Sequence, residues 1–232
     1  MNNQPGTAPA LRPRRHVRRR ERRNPFLVAV TVIAITLLAI GGIGLLITLT
    51  NQPSPTAPTD MRGAAVTLDP NVTPIPTASS HAVDDGHGRL IVPAVQLDVA
   101  LGALDAVDGQ ITPPGFASAY LVRNAGVSVT DTAHGTILIV MHSLRGGGQA
   151  PGNFLANAET GQPRVTTGDT INVSGTKFTT VSSRLINRTD LPTDAETWAN
   201  TPNRLLLITC LQYADGSPAT KNLVITAERT RS

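Results

Sequence analysis

The sequence predicts one mainly all-β domain set behind a single membrane-spanning helix. Three observations lead there. An apolar run without a charged residue, Phe26–Thr50, occupies 25 positions. From about Gly88 onward, short runs rich in Val, Ile, Leu and Thr recur, punctuated by Gly and Pro. No long stretch beyond residue 50 has helical periodicity. Many short strands within the 145 residues of 88–232 imply a closed barrel or a sandwich, with one or two short helices.

The N-terminus comes first. The formal charge of +4 is misleading as a guide to partners. Eight arginines lie between Arg12 and Arg23, with Glu21 the only acid among them. Beyond residue 50 there remain 12 Lys+Arg against 15 Asp+Glu, a net charge of about −3. A basic tail on a slightly acidic domain does not describe a nucleic-acid binder. Ahead of a long apolar run, it reads as a cytoplasmic retention signal over residues 1–25. As a helix, residues 26–50 would extend about 37 Å, enough to cross a hydrocarbon core of about 30 Å. A cleaved signal peptide has a shorter apolar region and a small-residue cleavage site, and no Ala-x-Ala follows Thr50. The expectation is an uncleaved single-pass anchor in the lipid bilayer, with the N-terminus cytoplasmic and the remainder extracellular.

Residues 51–87 read as a spacer. Pro53, Pro55, Pro58, Pro70, Pro74 and Pro76 are mixed with Thr, Ala, Ser and Asn, and few large apolar groups are present to bury. Such composition predicts an extended or disordered segment, with a short element conceivable at Met61–Leu68.

The domain proper, 88–232, is then read strand by strand. Arg89–Pro93 and Val95–Leu101 are β-type runs closed by Pro93 and Gly102. Thr136–Met141 is a continuous apolar run of strand length. Asp169–Val173 alternates, Lys177–Leu185 is rich in β-branched residues, and Gly175 between them suggests a hairpin. Leu205–Thr209 and Asn222–Ala227 complete the strands. Asn153–Glu159 is expected as one short helix and Asp194–Ala199 as a turn or two.

Two of these runs end on chemistry. RLLLITC ends on Cys210, the only cysteine, and TILIVMH ends on His142. An apolar-strand cysteine is commonly an inert core residue. This one closes its strand, where solvent can reach it, and has no partner for a disulfide in a compartment that favours them. A thiol is a good nucleophile only as the thiolate, which a nearby histidine or other cation favours. The same histidine can protonate a leaving amine. His16 belongs to the basic tail, His81 and His87 to the spacer, and His134 to a turn before Gly135. One cysteine and scattered histidines make no zinc spacing, and Gly146–Gly148 lack the Lys-Ser/Thr of a phosphate loop. Neither metal nor cofactor is indicated.

Over roughly Gly88–Glu228 the chain resembles the sortase family of cysteine transpeptidases. The resemblance rests on RLIVPAVQLDVAL (89–101), TILIVMHS with His142, PGNFLAN with Phe154, VTTGDTINV with its Gly-Asp pair, and RLLLITC with its Thr209-Cys210 end. It implies a closed eight-stranded barrel with a groove beside the cysteine strand. It also implies that Cys210 attacks the threonine carbonyl of an LPxTG-like sorting signal while His142 protonates the departing amine. The acyl group then passes to an amine of a peptidoglycan precursor or of a pilin. The Asn187–Asn203 loop, with Leu191 and Trp198, is similar to the family's groove wall. Thr209 and Tyr213 flank the cysteine as further substrate-binding candidates. The arginine-rich tail, Ala/Thr/Pro-rich spacer and scarcity of lysine suggest an actinobacterial type.

One departure stands out. The family places an arginine at the start of the final strand, and here that stretch reads Lys221-Asn222. Lysine offers charge without the planar fork, and asparagine a donor without charge. Either takes the role, or a distant arginine reaches in, or the enzyme is slow or inactive. The alternative function is therefore a degenerate sortase-fold protein that binds sorting signals or surface proteins without catalysis. An L,D-transpeptidase is poorer, because its Ser-x-Gly-Cys-Arg setting is absent.

Overall fold

The computed structural model describes residues 58–66 and 76–231. The basic tail, the 26–50 anchor and the first part of the spacer lie outside the described residues. Among the described residues, no helix is long and apolar enough to cross a membrane.

Eight strands close into one barrel: β1 (Arg89–Val92), β2 (Leu97–Leu104), β3 (Ala119–Val122), β4 (Thr136–Val140), β5 (Thr170–Val173), β6 (Thr176–Asn187), β7 (Arg204–Cys210) and β8 (Lys221–Arg229). Around the barrel they run β1-β2-β3-β4-β7-β8-β6-β5 and return to β1. Closure leaves no unpaired edge along the sheet. Two neighbouring pairs, β2/β3 and β4/β7, are parallel, and the others are antiparallel. Short helical turns at α1 (Thr77–Ser80) and α2 (Ala195–Trp198) sit outside the strands.

Successive side chains of a strand face opposite sides, so each strand serves two surfaces. The barrel interior takes Ile137 and Ile139 of β4, Leu205 and Leu207 of β7, and Leu223, Ile225 and Ala227 of β8. A second apolar layer lies on the outer face. It holds Leu138 and Val140, Leu206 and Ile208, and Val224, joined by Leu104, Tyr120 and Val122. Strands buried on both faces read as unbroken apolar runs, which is why TILIV and RLLLI lack alternation. The covers of the outer layer are Ala82, Ala106 and Ile111 on one flank, and Ile186 and Leu191 on the other.

Several expectations need adjusting. β3 has no counterpart in the sequence reading, because Ala119–Val122 is four residues long, buried throughout and without alternation. β2 runs on through Gly102, which was expected to end it. A Cβ there would meet the Val83 carbonyl at 2.1 Å, so this glycine lets the Val83 backbone pair with Ala103 instead of breaking the strand. At 153–159 a short 3-10 turn, Pro151–Phe154, replaces the expected helix. The Asn153 amide already serves Leu144 and Ala150 backbone groups there. Part of the spacer is ordered. Asp60 accepts backbone bonds from Arg62, Ala64 and Gln149, and Met61 packs against the inner core.

The long loop from β6 to β7 is fastened by Arg204. This side chain is 8% exposed. Its guanidinium donates to Thr136 Oγ1 at 3.0 Å and to the carbonyls of Glu196 at 2.8 Å and Thr197 at 3.1 Å, and also to that of Ala199. Asp194 caps α2 by accepting from the Thr197 amide at 3.0 Å, and it also pairs with Arg184. Truncation of Arg204 would strand three loop carbonyls and a hydroxyl. Arg204→Ala is expected to lower unfolding free energy by about 2–4 kcal/mol, and Arg204→Lys to recover only part of it. Urea denaturation of both variants measures this, and a loss below about 0.5 kcal/mol for Arg204→Ala would contradict the fastening role.

Candidate active site

The site follows from strand register. β4 and β7 run parallel, with Val140 beside Ile208 as the last coupled pair. The Met141 amide continues the ladder to the Ile208 carbonyl at 3.2 Å. Ile139 and Met141 face the barrel interior, so His142 follows Leu138 and Val140 onto the outer face. On β7, Leu206 and Ile208 face outward, and so therefore does Cys210. Two residues past the last pair, the register brings His142 and Cys210 to neighbouring positions on one face. Neighbouring strands lie about 4.8 Å apart.

His142 is held from behind. Its Nε2 lies 2.8 Å from the Pro113 carbonyl, and its ring stacks on Phe116 with centroids 4.4 Å apart and planes inclined by 21°. A carbonyl only accepts, so Nε2 carries the hydrogen. In the neutral ring, Nδ1 is then the basic nitrogen. Burial pushes the imidazole below its ordinary pKa, and the Pro113 carbonyl opposes this in part. Burial likewise pushes the Cys210 thiol up, and the positive charge of Arg188 opposes that. Both shifts disfavour a preformed thiolate–imidazolium pair.

The far side of Cys210 is occupied by β8. Asn222 is the direct partner of Cys210 and is 8% exposed. Beyond it, Ile186 of β6 is paired with Asn222, and Asn187 with Lys221. The Arg188 amide then donates to the Thr220 carbonyl at 2.9 Å, extending that ladder by one step. By alternation Arg188 shares a face with Ile186, Asn222 and Cys210. Its Nη1 donates to the Ala219 carbonyl at 3.4 Å. The cation that acts on the thiol thus comes from the end of β6, not from the final strand.

The other sequence candidates divide by position. Lys221 is one step from Asn222, and alternation turns it to the opposite side of the sheet from Cys210. Thr209 faces inward, buried, with its hydroxyl 2.9 Å from that of Ser143. Tyr213 packs against the inner core at the barrel end, close to Gly161. Leu191 and Trp198 belong to the loop that flanks the outer face, where the Trp198 indole donates to the Leu191 carbonyl at 2.6 Å. Trp198 is 40% exposed and lines a cavity of about 310 Å³ with Leu138, Leu206 and Asn200. That cavity opens on the same outer face, four residues back along β7 from Cys210. Arg188, Pro113 and Phe116 were not singled out from sequence. Only strand pairing reveals Arg188, since RTD after a strand looks like an ordinary polar turn. Among the described residues, no group of three or more His, Cys, Asp or Glu could hold a metal ion.

No family model matches this chain. No curated protein matches it either. Among solved structures, it is similar to sortase A of Listeria monocytogenes, at 21% identity and a TM-score of 0.45, over 62% of this chain and 87% of that one. It is also similar to sortase A from Corynebacterium diphtheriae, at 16% identity and a TM-score of 0.45, over 62% of this chain and 60% of the other. A third is sortase C-1 from Actinomyces oris, at 13% identity and a TM-score of 0.45, over 66% and 74% of the two chains.

Proposed function

We propose that this protein is a membrane-anchored cysteine transpeptidase of the sortase type, acting on LPxTG-like sorting signals outside the cell. The observation that carries the reading is the shared outer face, on which the ends of β4 and β7 present an imidazole beside the only thiol. The basic tail and the charge-free run 26–50 support a bilayer anchor with the barrel on the extracellular side.

The chemistry is acyl transfer. The Cys210 proton passes to Nδ1 of His142, while Nε2–H stays on Pro113. The thiolate attacks the carbonyl carbon of the signal's threonine, forming the S–C bond and an oxyanion. Arg188 faces that developing charge, with Asn222 as a neutral donor beside it. The oxyanion collapses, the C–N bond breaks, and the imidazolium returns its proton to the departing glycine amine. A thioester remains. An incoming amine, from a peptidoglycan precursor or from a pilin lysine, attacks it and loses a proton to His142. The S–C bond then breaks to restore the thiol. Leaving and arriving amines occupy one place, so a single histidine serves both halves.

Incubation of the full chain with an LPxTG peptide should give a thioester adduct on Cys210, read by intact mass, and none for Cys210→Ala. Turnover retained in Cys210→Ala would exclude the thioacyl route. A folded wild-type chain that binds the peptide yet never forms the adduct would point to the non-catalytic binder. The rate should trace a bell against pH. Its acid limb belongs to His142, lowered by burial, and so falls below the usual histidine range. Its alkaline limb belongs to Cys210, raised by burial, and so lies above the usual thiol range. Arg188→Ala should lower kcat/KM by about 10²-fold and move the alkaline limb higher still. An unchanged alkaline limb would remove Arg188 from the site.

A further inference from the structure

We infer that Tyr120 and Asp84 are positioning residues for His142, acting through the loop that carries Pro113 and Phe116. Both contacts that orient the imidazole come from this one stretch between β2 and β3. Beyond the Val107–Gln110 turn, residues 111–118 belong to no strand or helix, so side chains must fix them. Tyr120 does so from the outer face of β3, where it is paired with Val140 on one side and Gly102 on the other. Its hydroxyl donates to Asp84 Oδ1 at 2.6 Å and lies against the backbone at Gly115. Burial and the Asp84 carboxylate keep the phenol protonated, so it remains the donor in that bond. The approach is close: a Cβ on Gly115 would lie 2.6 Å from the phenol oxygen and 3.3 Å from Asp84 Oδ1. Asp84 is in turn fixed because the preceding residue, Val83, exchanges two backbone bonds of 2.9 Å with Ala103.

Close contacts thus lead from the segment entering the barrel, through one phenol at Gly115, to the loop whose Pro113 carbonyl selects the Nε2–H tautomer. Fixing the tautomer leaves Nδ1 as the nitrogen able to exchange a proton with the thiol. The inference rests on the role of His142 proposed above, but its primary readout does not.

The test is the tautomer of His142 in the full chain without substrate, read from the ¹⁵N shifts of labelled histidines. The His142 signals are assigned by their loss in His142→Gln. The wild type should show the Nε2–H form alone. Tyr120→Phe and Asp84→Ala should give a mixture of both tautomers, with turnover reduced roughly tenfold or more. Asp84 is exposed, so its variant decides the matter should Tyr120→Phe fail to fold. A single Nε2–H tautomer in a folded variant overturns the inference, whatever turnover does. A tautomer mixture in a chain that shows no transpeptidation in any form upholds the positioning line while defeating the proposed activity.

Discussion

The structure depends on the parallel pairing of β4 with β7. A parallel pair cannot be joined by a tight turn, and here the connection takes in β5, β6 and the long loop before β7. Parallel strands end at the same end of the barrel, so whatever follows Val140 and Ile208 emerges side by side. An antiparallel neighbour would have sent His142 and Cys210 to opposite rims. The five coupled pairs from Thr136–Arg204 to Val140–Ile208 are locked by side chains buried on both faces. A slip of one residue would turn Ile137, Ile139, Leu205 and Leu207 out of the core, and the thiol into it.

Around that pair the remaining strands divide the electrostatic work. Burial disfavours the charged form of both the thiol and the imidazole. Arg188, whose positive charge favours the thiolate form of Cys210, follows β6 directly, where the β6–β8 ladder runs one step further to Thr220. The loop that follows Arg188 is the one fastened by Arg204, so that loop and the cation that acts on the thiol belong to one continuous stretch of chain.

Much of this was legible in the sequence. Apolar runs ending in His142 and Cys210 read as strands with polar ends, and Gly175 suggested the β5–β6 hairpin. The turn or two expected at Asp194–Ala199 is present as Ala195–Trp198. What escaped was set by contacts distant in sequence. Ala119–Val122 is a strand because Leu101–Leu104 and Tyr120's partner Val140 flank it, not because of its own pattern. The inward facing of Thr209 and the outward facing of Arg188 follow from alternation within a known register, which no single strand discloses. The spacer's Asp60 looked like one more polar residue among prolines. Its order comes from Gln149, far along the chain.

The central claim is that the ends of β4 and β7 hold positions 142 and 210 face to face. With one cysteine in the chain, His142→Cys creates a single possible pair with Cys210. A disulfide needs Cα atoms about 4.4–6.8 Å apart and side chains on one face. Under a mild oxidant, the account predicts an intramolecular bond, seen as a loss of about 2 Da and of both free thiols from the monomer. Two persistently free thiols in a folded His142→Cys chain would contradict it.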